Sequence, residues 1–462
     1  MRVPSDHPDR EICIIGLGYV GLTLAVAMAE AGFVIRGVER DSHILSCLTE
    51  GRAHFMETAL DGRLRAQVGR GALHFYKSID EVPDVSVYII TVGTPLEAGS
   101  KITNLKPIRS VVNDIAGRLK RDDMVVLRST VRVGVTREIK QQLDARAIPY
   151  SLAFCPERTL EGKALLELRT LPQVVGGVDE RSVIRASIMF SFLTPTIVRV
   201  SSLEAAEMIK LVNNTQRDLM FAFANEVAEF CDALEISAHE VIEAGNMGYP
   251  RASMPKPGPV GGPCLEKDPY ILAESVSGRG GAAALALLGR ELNESLPSRT
   301  SKLLAELVLS RRGTLEGARV AIAGLAFKGR PETSDLRGSM AIPLIDALRS
   351  NFPEIELVGY DPAVNPEEAA ALGLGVVQTV QAAFKDADLV IFQNNNPAFE
   401  RLALSELSIL MAHGALIYDY WGQFNPQELD LRTDVAYVGL GTGAQLEDLK
   451  TLWGLRPKRL AC

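Results

Sequence analysis

Residues 13–33 read CIIGLGYVGLTLAVAMAEAGF, and this stretch decides the fold. A short run of β-branched residues leads into glycines 16, 18 and 21 in the pattern G-x-G-x-x-G, and a helix-forming segment follows. Gly16 permits a tight turn, Gly18 lets a pyrophosphate approach the backbone, and Gly21 lets the helix pack on the sheet. Free N–H groups at the helix start suit a phosphate. The order strand, glycine loop and helix therefore predicts a dinucleotide-binding βαβ unit.

The next predicted strand carries the acid that such a unit needs. Residues 33–40 read FVIRGVER, and Glu39 stands near the offset at which a carboxylate meets the adenosine ribose hydroxyls. A carboxylate repels a 2′-phosphate, so Glu39 favours NAD over NADP, although the neighbouring Arg36 and Arg40 weaken that inference. A flavin, or a turn without a ligand, remains an alternative.

Short β-branched runs alternate with amphipathic stretches from residue 11 to about 200, a pattern typical of a parallel sheet built from βαβ units. We predict strands at 12–15, 34–38, 85–92, 124–127 and 173–175. Hydroxyl residues follow two of them, and ligands of such sheets lie beyond the carboxyl ends of the strands. The expected cofactor contacts are Gly16, Gly18, Tyr19, Val20, Gly21, Glu39, Arg40, Thr94, Ser129, Thr130 and Lys267.

The rest of the chain predicts a helical middle and a second α/β domain. Residues 204–236 have helical apolar spacing without glycine or proline, and a second helical stretch covers about 282–308. Strands are predicted at 318–323, 356–360, 389–392, 416–419 and 435–438. We therefore expect an α/β fold of two doubly wound Rossmann-like domains joined by a long central helix. The predicted domains are 1–200 (NAD-binding), 201–309 (helical, with the cysteine loop) and 310–462 (second Rossmann-like domain).

Composition excludes several classes of protein. The net charge of −8 and the pI near 5.5 argue against nucleic-acid binding, which normally needs a basic patch. The six cysteines show no CxxC pair, and no His cluster has metal-ligand spacing. The polar start and the lack of a long apolar run indicate no leader and no membrane span. We expect a cytoplasmic protein without a metal.

Residues 254–269, MPKPGPVGGPCLEKDP, are rich in glycine and proline and are predicted to be irregular. Cys264 follows Gly-Gly-Pro in this loop, and a nearby Lys267 would favour its thiolate. A cysteine whose surroundings are unknown is more often a small buried hydrophobe, but this loop favours a nucleophile.

At this point the sequence resembles a known family. GPVGGPCLEKDPY at 258–270 is similar to the active-site loop of the UDP-glucose and UDP-N-acetylhexosamine dehydrogenases. Supporting segments occur in the expected order over nearly the whole chain: YVGL at 19–22, CPER at 155–158, AEMIKLVNN at 206–214 and AFKGRPETSDLRGS at 326–339.

The resemblance implies a mechanism. Members of the family remove two hydrides in succession, each to an NAD, and a cysteine captures the aldehyde level as a thiohemiacetal, which Cys264 would form here. Lys210 matches the lysine that stabilises the oxyanion, and Asn214 lies one helical turn further on the same face. Glu157 and Asp268 match the two family acids, to which we jointly assign water activation and proton transfer.

The second Rossmann-like domain resembles the nucleotide-binding domain of the same family. Its first strand ends in Gly324-Leu325-Ala326, so the second glycine of a dinucleotide fingerprint is missing, which suits UDP better than NAD. Cationic side chains are what a diphosphate requires. The expected substrate contacts are Arg158, Arg251, Lys256, Gly261, Lys328 and Arg337.

The identity of the sugar stays open in the sequence. Pro263 stands where one branch of the family has histidine and the other serine, and DYWGQF at 419–424 departs from the usual pattern. We favour a UDP-N-acetylhexosamine such as UDP-N-acetylmannosamine, with UDP-glucose as the alternative. A single-step dehydrogenase and a non-enzymatic nucleotide-sugar-binding protein are further alternatives. The long apolar central helix indicates a homodimer, although a helix buried within one chain looks the same in sequence.

Overall fold

The structure is a computed structural model and describes residues 2–97 and 99–443. The chain divides into two compact units. The first unit comprises Met1–Thr215 and Lys267–Ala283, and the second comprises Gln216–Glu266 and Ala284–Cys462. One boundary thus falls within the central helix. The predicted three-domain division at residues 200 and 309 stays a prediction.

The first unit is built on an eight-stranded sheet. Its strands are β1 (Glu11–Ile15), β2 (Val34–Val38), β3 (Leu73–Tyr76), β4 (Val87–Ile90), β5 (Met124–Leu127), β6 (Ser151–Phe154), β7 (Gln173–Gly177) and β8 (Ile197–Arg199). Their order in the sheet is β3-β2-β1-β4-β5-β6-β7-β8. The order reverses between β1 and β4, which creates the crevice in which doubly wound sheets bind ligands.

Helices cover both faces of this sheet. They are α1 (Tyr19–Ala31), α2 (Ser42–Thr49), α3 (Leu60–Gly69), α4 (Lys106–Arg118), α5 (Val135–Asp144), α6 (Ala164–Thr170) and α7 (Glu180–Ser191), with a 3₁₀ turn at Ile79–Glu81. Because side chains alternate along a strand, Ile12 and Ile14 of β1 pack into one apolar cluster, whereas Cys13 and Ile15 pack into another. The sheet is therefore buried on both faces.

One part of the prediction for this sheet is wrong. The strand β7 pairs with β6 in the antiparallel sense, with Ala153 opposite Gly177, so the sheet is mixed and not wholly parallel. The connection between these strands contains only the seven-residue helix α6.

The second unit contains a six-stranded, fully parallel sheet. Its strands are β9 (Arg319–Ala323), β10 (Glu356–Tyr360), β11 (Gly375–Val376), β12 (Leu389–Phe392), β13 (Leu416–Asp419) and β14 (Ala436–Gly439). The order β11-β10-β9-β12-β13-β14 repeats the reversal seen in the first sheet. The fold class is therefore confirmed: the chain has two Rossmann-like α/β domains joined by a long helix.

The remaining helices include that central helix. They are α8 (Leu203–Leu234), α9 (Ala238–Asn246), α10 (Gly262–Leu265), α11 (Asp268–Val276), α12 (Ala284–Arg312), α13 (Ala341–Asn351), α14 (Pro366–Ala370), α15 (Val380–Phe384) and α16 (Leu404–Ile409), with 3₁₀ turns at Phe399–Arg401 and Pro426–Glu428. Among residues 2–97 and 99–443, none of the helices combines the length and apolar character needed to cross a membrane.

The helix boundaries test two predictions. The predicted helix at 204–236 is confirmed as α8. The prediction that 254–269 is wholly irregular is wrong, because α10 lies inside this segment and α11 begins at Asp268. Pro263 and Pro269 fall in the first turns of these two helices, where the missing proline N–H would have no helical partner in any case.

Candidate active site

The glycine loop after β1 is shaped to receive a phosphate. Gly16 has φ +90° and donates its N–H to the Val38 carbonyl at 2.9 Å, which closes the turn. A Cβ on Gly21 would lie 1.9 Å from the Gly16 oxygen, so the helix packs directly on the loop. A Cβ on Gly18, immediately before α1, would meet no described atom within 4 Å. The start of α1 therefore faces open space, and the loop fits the pyrophosphate of NAD.

The acid at the end of β2 is held against this loop. One Glu39 oxygen accepts the Leu17 N–H at 3.0 Å, and the other accepts the Asp41 N–H at 3.1 Å. Glu39 is only partly buried, so it remains accessible to a ribose. Arg36 pairs with Glu11 at 3.0 Å, whereas Arg40 is exposed. The pairing of Arg36 removes one of the two arginines that weakened the preference for NAD.

The hydroxyls at the other strand ends hold the crevice in shape. The Thr94 hydroxyl donates to the Thr130 carbonyl at 2.5 Å, and the Ser129 hydroxyl donates to the Ile90 carbonyl at 3.3 Å. Thr94 and Ser129 are buried and Thr130 is partly buried. The hydroxyl hydrogens of Thr94 and Ser129 are committed to the protein, which leaves their oxygen lone pairs for any contact with a cofactor.

Tyr19 has a partner that sequence reasoning missed. Its hydroxyl contacts the Glu57 carboxylate, and both groups accept the Gly162 N–H, at 2.9 and 2.7 Å. Burial and then Glu57 raise the pKa of Tyr19, which therefore stays neutral. The contacts of Tyr19 and Glu57 with Gly162 join the glycine loop to the segment that follows residues 155–158. Val20, the neighbour of Tyr19, is partly buried. No local pattern marks Glu57, because its partners are distant in sequence.

Glu157 is a fully bonded buried carboxylate. Arg128 donates to one of its oxygens through Nε at 3.0 Å and Nη2 at 2.5 Å, and the N–H groups of Arg158 and Thr159 donate to the other at 2.7 Å each. Burial alone would raise the pKa of Glu157, but Arg128, the Thr159 N–H and Lys210 together hold it below the usual value. Glu157 is therefore ionised, and sequence reasoning missed the arginine that keeps it so.

Three further predicted residues lie together in the first unit. The Asn214 Nδ2 donates to one oxygen of Asp268 at 2.6 Å, and the Lys267 Nζ lies 3.3 Å from the other. Asp268 is fully buried, and Lys210 is only 6% exposed. The positive charge of Lys210 also lowers the pKa of Glu157. The first unit thus holds Asp268 in contact with Asn214 and Lys267.

Cys264 belongs to the second unit and differs from the other described cysteines. It lies in α10 and is exposed, whereas Cys13, Cys47, Cys155 and Cys231 are buried. Burial raises the pKa of both Cys13 and Cys155 to about 12, so those thiols are unreactive. Among the cysteines in the described ranges, Cys264 is therefore the one accessible to a substrate.

The glycine loop of the second domain is closed by its own acid. Gly324 donates its N–H to the Tyr360 carbonyl at 2.8 Å, as Gly16 does to its counterpart in the first domain. Asp361 then accepts both the Leu325 N–H at 2.7 Å and the Ala326 N–H at 3.0 Å. This loop therefore does not present the open backbone that a second NAD would need.

Two of the predicted substrate-contact residues, Arg158 and Gly261, make close contacts within the protein. Arg158 is partly buried and donates to the Pro172 carbonyl, and burial lowers its pKa. A Cβ on Gly261 would lie 2.2 Å from the Gly338 carbonyl oxygen, so only glycine fits there. Gly261 therefore serves close packing as well as any contact with substrate.

The other predicted substrate cations make local contacts. Arg251 lies 4.5 Å from the ring of Tyr249, and the Lys256 Nζ lies 3.5 Å from Glu243. Both cations are exposed. These contacts are of a kind that a diphosphate can displace, because exposed pairs contribute little.

Lys328 and Arg337 lie in the loop after β9. The Lys328 Nζ is 5.2 Å from the Phe327 ring, and Arg337 pairs with Asp335 at 2.5 Å. Arg337 is exposed. The loop therefore carries two cations on the same unit as Cys264.

One Rossmann-like domain has an open dinucleotide loop, the second has a closed loop, and Cys264 is exposed. These features are those of an NAD-dependent dehydrogenase. Three family profiles match in order: UDP-glucose/GDP-mannose dehydrogenase family, NAD binding domain at 10–193, central domain at 204–295 and UDP binding domain at 321–426. The chain therefore belongs to the UDP-glucose/GDP-mannose dehydrogenase family, whose members are NAD-dependent oxidoreductases. The resemblance stated from sequence is confirmed.

Individual relatives agree with the family. The chain is 28% identical to UDP-N-acetyl-D-mannosamine dehydrogenase of Pyrococcus horikoshii over 88% of this chain and 94% of that protein. It is 30% identical to NDP-N-acetyl-D-galactosaminuronic acid dehydrogenase of Ralstonia nicotianae over 87% and 94%. Among solved structures, UDP-D-ManNAc dehydrogenase of P. horikoshii has a TM-score of 0.84 at 27% identity, covering 94% of this chain and 100% of that one. A UDP-glucose dehydrogenase of Pyrobaculum islandicum has a TM-score of 0.83 at 26% identity, covering 95% and 99%.

Proposed function

We propose that this chain oxidises the C6 alcohol of a UDP-N-acetylhexosamine, foremost UDP-N-acetylmannosamine, to the UDP-uronic acid, with Cys264 as covalent nucleophile. The observation that carries the proposal is the exposure of Cys264 among otherwise buried described cysteines. The activities for which the Pyrococcus and Ralstonia relatives are named support an N-acetylated sugar.

The chemistry proceeds in two oxidations. The C6 alcohol first loses a hydride and a proton, which leaves an aldehyde. The Cys264 sulfur adds to the aldehyde carbon and forms a thiohemiacetal, and loss of a second hydride together with the hydroxyl proton converts it into a thioester. Water then cleaves the C–S bond, which releases the carboxylate and restores the thiol. Each bound NAD accepts one hydride.

The residues of the first unit divide the remaining tasks. The ammonium of Lys210 is suited to stabilise developing negative charge on the substrate oxygen. Asp268 is suited to carry protons, because Asn214 and Lys267 orient both of its oxygens. Glu157 accepts four hydrogen bonds, which use the acceptor positions of a carboxylate. We therefore assign proton transfer to Asp268, and to Glu157 the role of a fixed negative charge in the first unit.

The test is to incubate the protein with NAD and separate UDP-sugars, and to follow NADH and product mass. UDP-N-acetylmannosamine should yield two NADH per sugar and a mass gain of about 14 Da, because the CH₂OH group becomes COOH through the thioester. Cys264→Ala should abolish product, whereas the matched change Cys47→Ala at a buried cysteine should not. One NADH per sugar, or full activity of Cys264→Ala, would contradict the mechanism. A clear preference for UDP-glucose would overturn the choice of sugar alone.

We also propose that the chain forms a homodimer through α8. Phe223 and Phe230 are each 53% exposed and Leu234 is 67% exposed. Spacings of seven and four residues place these three side chains on one face of the helix. Water-exposed aromatic and leucine side chains in a row are typical of a surface that another chain covers.

We propose a cytoplasmic location, because the five cysteines of the described ranges are free thiols, as is usual in a reducing compartment. Cell fractionation tests this point, and recovery of the protein from an oxidising compartment would contradict it.

A further inference from the structure

Arg290 is a buried arginine of α12 that faces the segment carrying Cys264. Its exposure is 0%, both for the whole residue and for the side chain. Burial of a guanidinium is costly, because the charge loses its water, and the cost is offset only by several well-placed partners. The identity of those partners therefore indicates what Arg290 does.

Two of the partners are backbone carbonyls on either side of Cys264. Nη2 of Arg290 donates to the Val260 carbonyl at 2.9 Å, and Nη1 donates to the Leu265 carbonyl at 3.3 Å. Val260 precedes the cysteine by four residues and Leu265 follows it directly. One planar group thus binds the entry and the exit of α10, which fixes the segment between them.

The third partner holds the guanidinium itself in place. Nη1 of Arg290 lies 2.6 Å from an oxygen of Asp218, which is also fully buried. Asn293 lies three residues after Arg290, on the same face of α12. It donates to the same Asp218 oxygen at 3.0 Å and to the Asp218 carbonyl at 3.0 Å. The direction of the Arg290 fork is therefore determined by a carboxylate on α8.

The segment that carries Cys264, residues 258–265, is fixed at its start by the side-chain amide of Asn225. Asn225 on α8 accepts the Gly258 N–H at 2.7 Å and donates to the Gly258 carbonyl at 3.1 Å. It also donates to Asn293 at 3.0 Å, so the two amides belong to one network with Asp218. Residues 258–265 are therefore bonded at three points to the pair of helices α8 and α12.

The other side of the segment packs on the loop after β9. The Gly262 N–H donates to the Gly338 carbonyl at 2.7 Å, and Gly262 has φ +90°. A Cβ there would lie 2.4 Å from the Phe327 ring. The backbone beside Cys264 is thus held between Arg290 on one side and this loop on the other, while the thiol itself remains exposed.

We propose that Arg290 is a positioning residue for the thiol of Cys264, and that Asp218 acts by orienting Arg290. The proposal rests on the assigned role of Cys264 and extends it. A nucleophile must stand within bonding reach of the substrate carbon, and a displacement of about 1 Å can cost on the order of 100-fold in rate. Because Arg290 is fully buried, it has no exposed surface for contact with substrate or cofactor, and we expect its effect to fall on kcat and not on cofactor affinity.

The decisive variant is Arg290→Lys. Lysine keeps the positive charge beside Asp218, but a single ammonium on a flexible stem lacks the rigid fork that spans two carbonyls. We expect kcat to fall at least tenfold, with less than threefold change in the KM of the UDP-sugar and in the Kd of NAD. The matched control is Arg299→Lys on the same helix, where the arginine pairs with Glu229 near the surface. It should leave kcat unchanged.

A second measurement separates this proposal from the proposed function. In the absence of any substrate, iodoacetamide labelling of Cys264, followed by peptide mass spectrometry, reports the surroundings of the thiol. We expect the labelling rate to change at least threefold in Arg290→Lys and to stay unchanged in Arg299→Lys. This result would hold even if the wild-type protein turned over no UDP-sugar, an outcome that would defeat only the proposed function.

Two results would overturn the proposal. One is a folded Arg290→Lys protein whose labelling rate and kcat match those of the wild type. If Arg290→Lys does not fold, Asp218→Asn takes its place, because asparagine keeps an oxygen acceptor for the guanidinium without the charge. The same changes in labelling and kcat, smaller in size, are then expected, and wild-type values would overturn the proposal.

Discussion

Replacing Arg128 by methionine should destabilise the first unit strongly, and most of all at neutral pH. The Arg128 side chain is 1% exposed and that of Glu157 is 7% exposed. The Arg128 guanidinium lies 5.3 Å from the Phe190 ring. Methionine preserves much of the apolar part of the arginine side chain but removes its charge. Glu157 would then be a buried carboxylate bonded by only two backbone N–H groups.

The size of the effect follows from this burial. Removing one partner of a buried ion pair typically costs about 3–5 kcal/mol, because the remaining charge is uncompensated. Arg128 also donates to the Cys155 carbonyl at 3.0 Å and to Gln173 at 2.9 Å, and losing these bonds adds to the cost. The double variant Arg128→Met/Glu157→Gln should recover part of the loss, since glutamine carries no charge.

The pH dependence has a defined sign. In the wild type the pKa of Glu157 lies below its usual value, so its contribution to stability is present above the unfolded pKa of about 4.3 and is lost as pH falls through the lower folded pKa. Without Arg128, burial raises that pKa, and proton uptake relieves the buried charge. The deficit of Arg128→Met should therefore shrink between pH 7.5 and pH 5.

Urea unfolding followed by far-UV circular dichroism measures the effect, with equal slopes required for comparison. The matched control is Arg137→Met, which breaks an exposed pair with Glu204, 50% and 31% exposed, and should cost less than about 1 kcal/mol. If Arg128→Met cost no more than this control, or if its deficit did not change with pH, the argument from the buried charge would be refuted.

Three further predictions concern the cofactor and the dimer. Gly18→Ala should leave the unfolding midpoint unchanged, because the added methyl meets no described atom. It should weaken NAD binding at least tenfold in titration calorimetry, because the methyl occupies the space above the loop. An unchanged affinity would contradict the assignment of this loop to the phosphates. Glu39→Ala should reduce the preference for NAD over NADP in kcat/KM, and an unaltered ratio would show that Glu39 does not meet the ribose. Phe230→Glu should convert a dimer into monomers in analytical ultracentrifugation. The control Ile409→Glu, at a residue that is 66% exposed and lies in α16, should leave the dimer intact. A dimer that persists in both variants would exclude the exposed face of α8 as the interface.

Local patterns in the sequence were sufficient for most of the fold. The strands β1, β2 and β9 were predictable because buried parallel strands are short β-branched runs, and the glycine pattern at 16–21 fixes the turn that follows β1. The helix α8 was predictable from 33 residues of helical spacing without glycine or proline. By contrast, β3 and β6 were missed, since LHFY and SLAF are four residues long and mix polar with apolar positions.

The residues that surround the proposed site were harder to predict, for one physical reason. Arg128 and Arg290 look like ordinary charges in a sequence, and arginine is usually exposed. Their burial arises because an acid 29 or 72 residues away meets each of them in the folded chain. No local spacing encodes such a pair, so a motif can identify the chemical group but not the residue that positions it.

The two Rossmann-like domains share the first steps of their loops. In each, the first glycine donates to the carbonyl that ends the neighbouring strand, and the next N–H binds the acid after that strand: Leu17 binds Glu39 and Leu325 binds Asp361. This repeat shows that both loops start from one backbone arrangement.

The loops diverge at the third residue, and this divergence accounts for their different ligands. Gly18 has open space above it, so its backbone is free to approach a phosphate. Ala326 is 1% exposed, and its N–H is already bound by Asp361 at 3.0 Å. A loop whose amides are satisfied by its own acid gains little from a phosphate, since binding would only exchange one anion for another. Restoring glycine by Ala326→Gly should therefore not create a second NAD site, because the Asp361 carboxylate would still hold the loop closed.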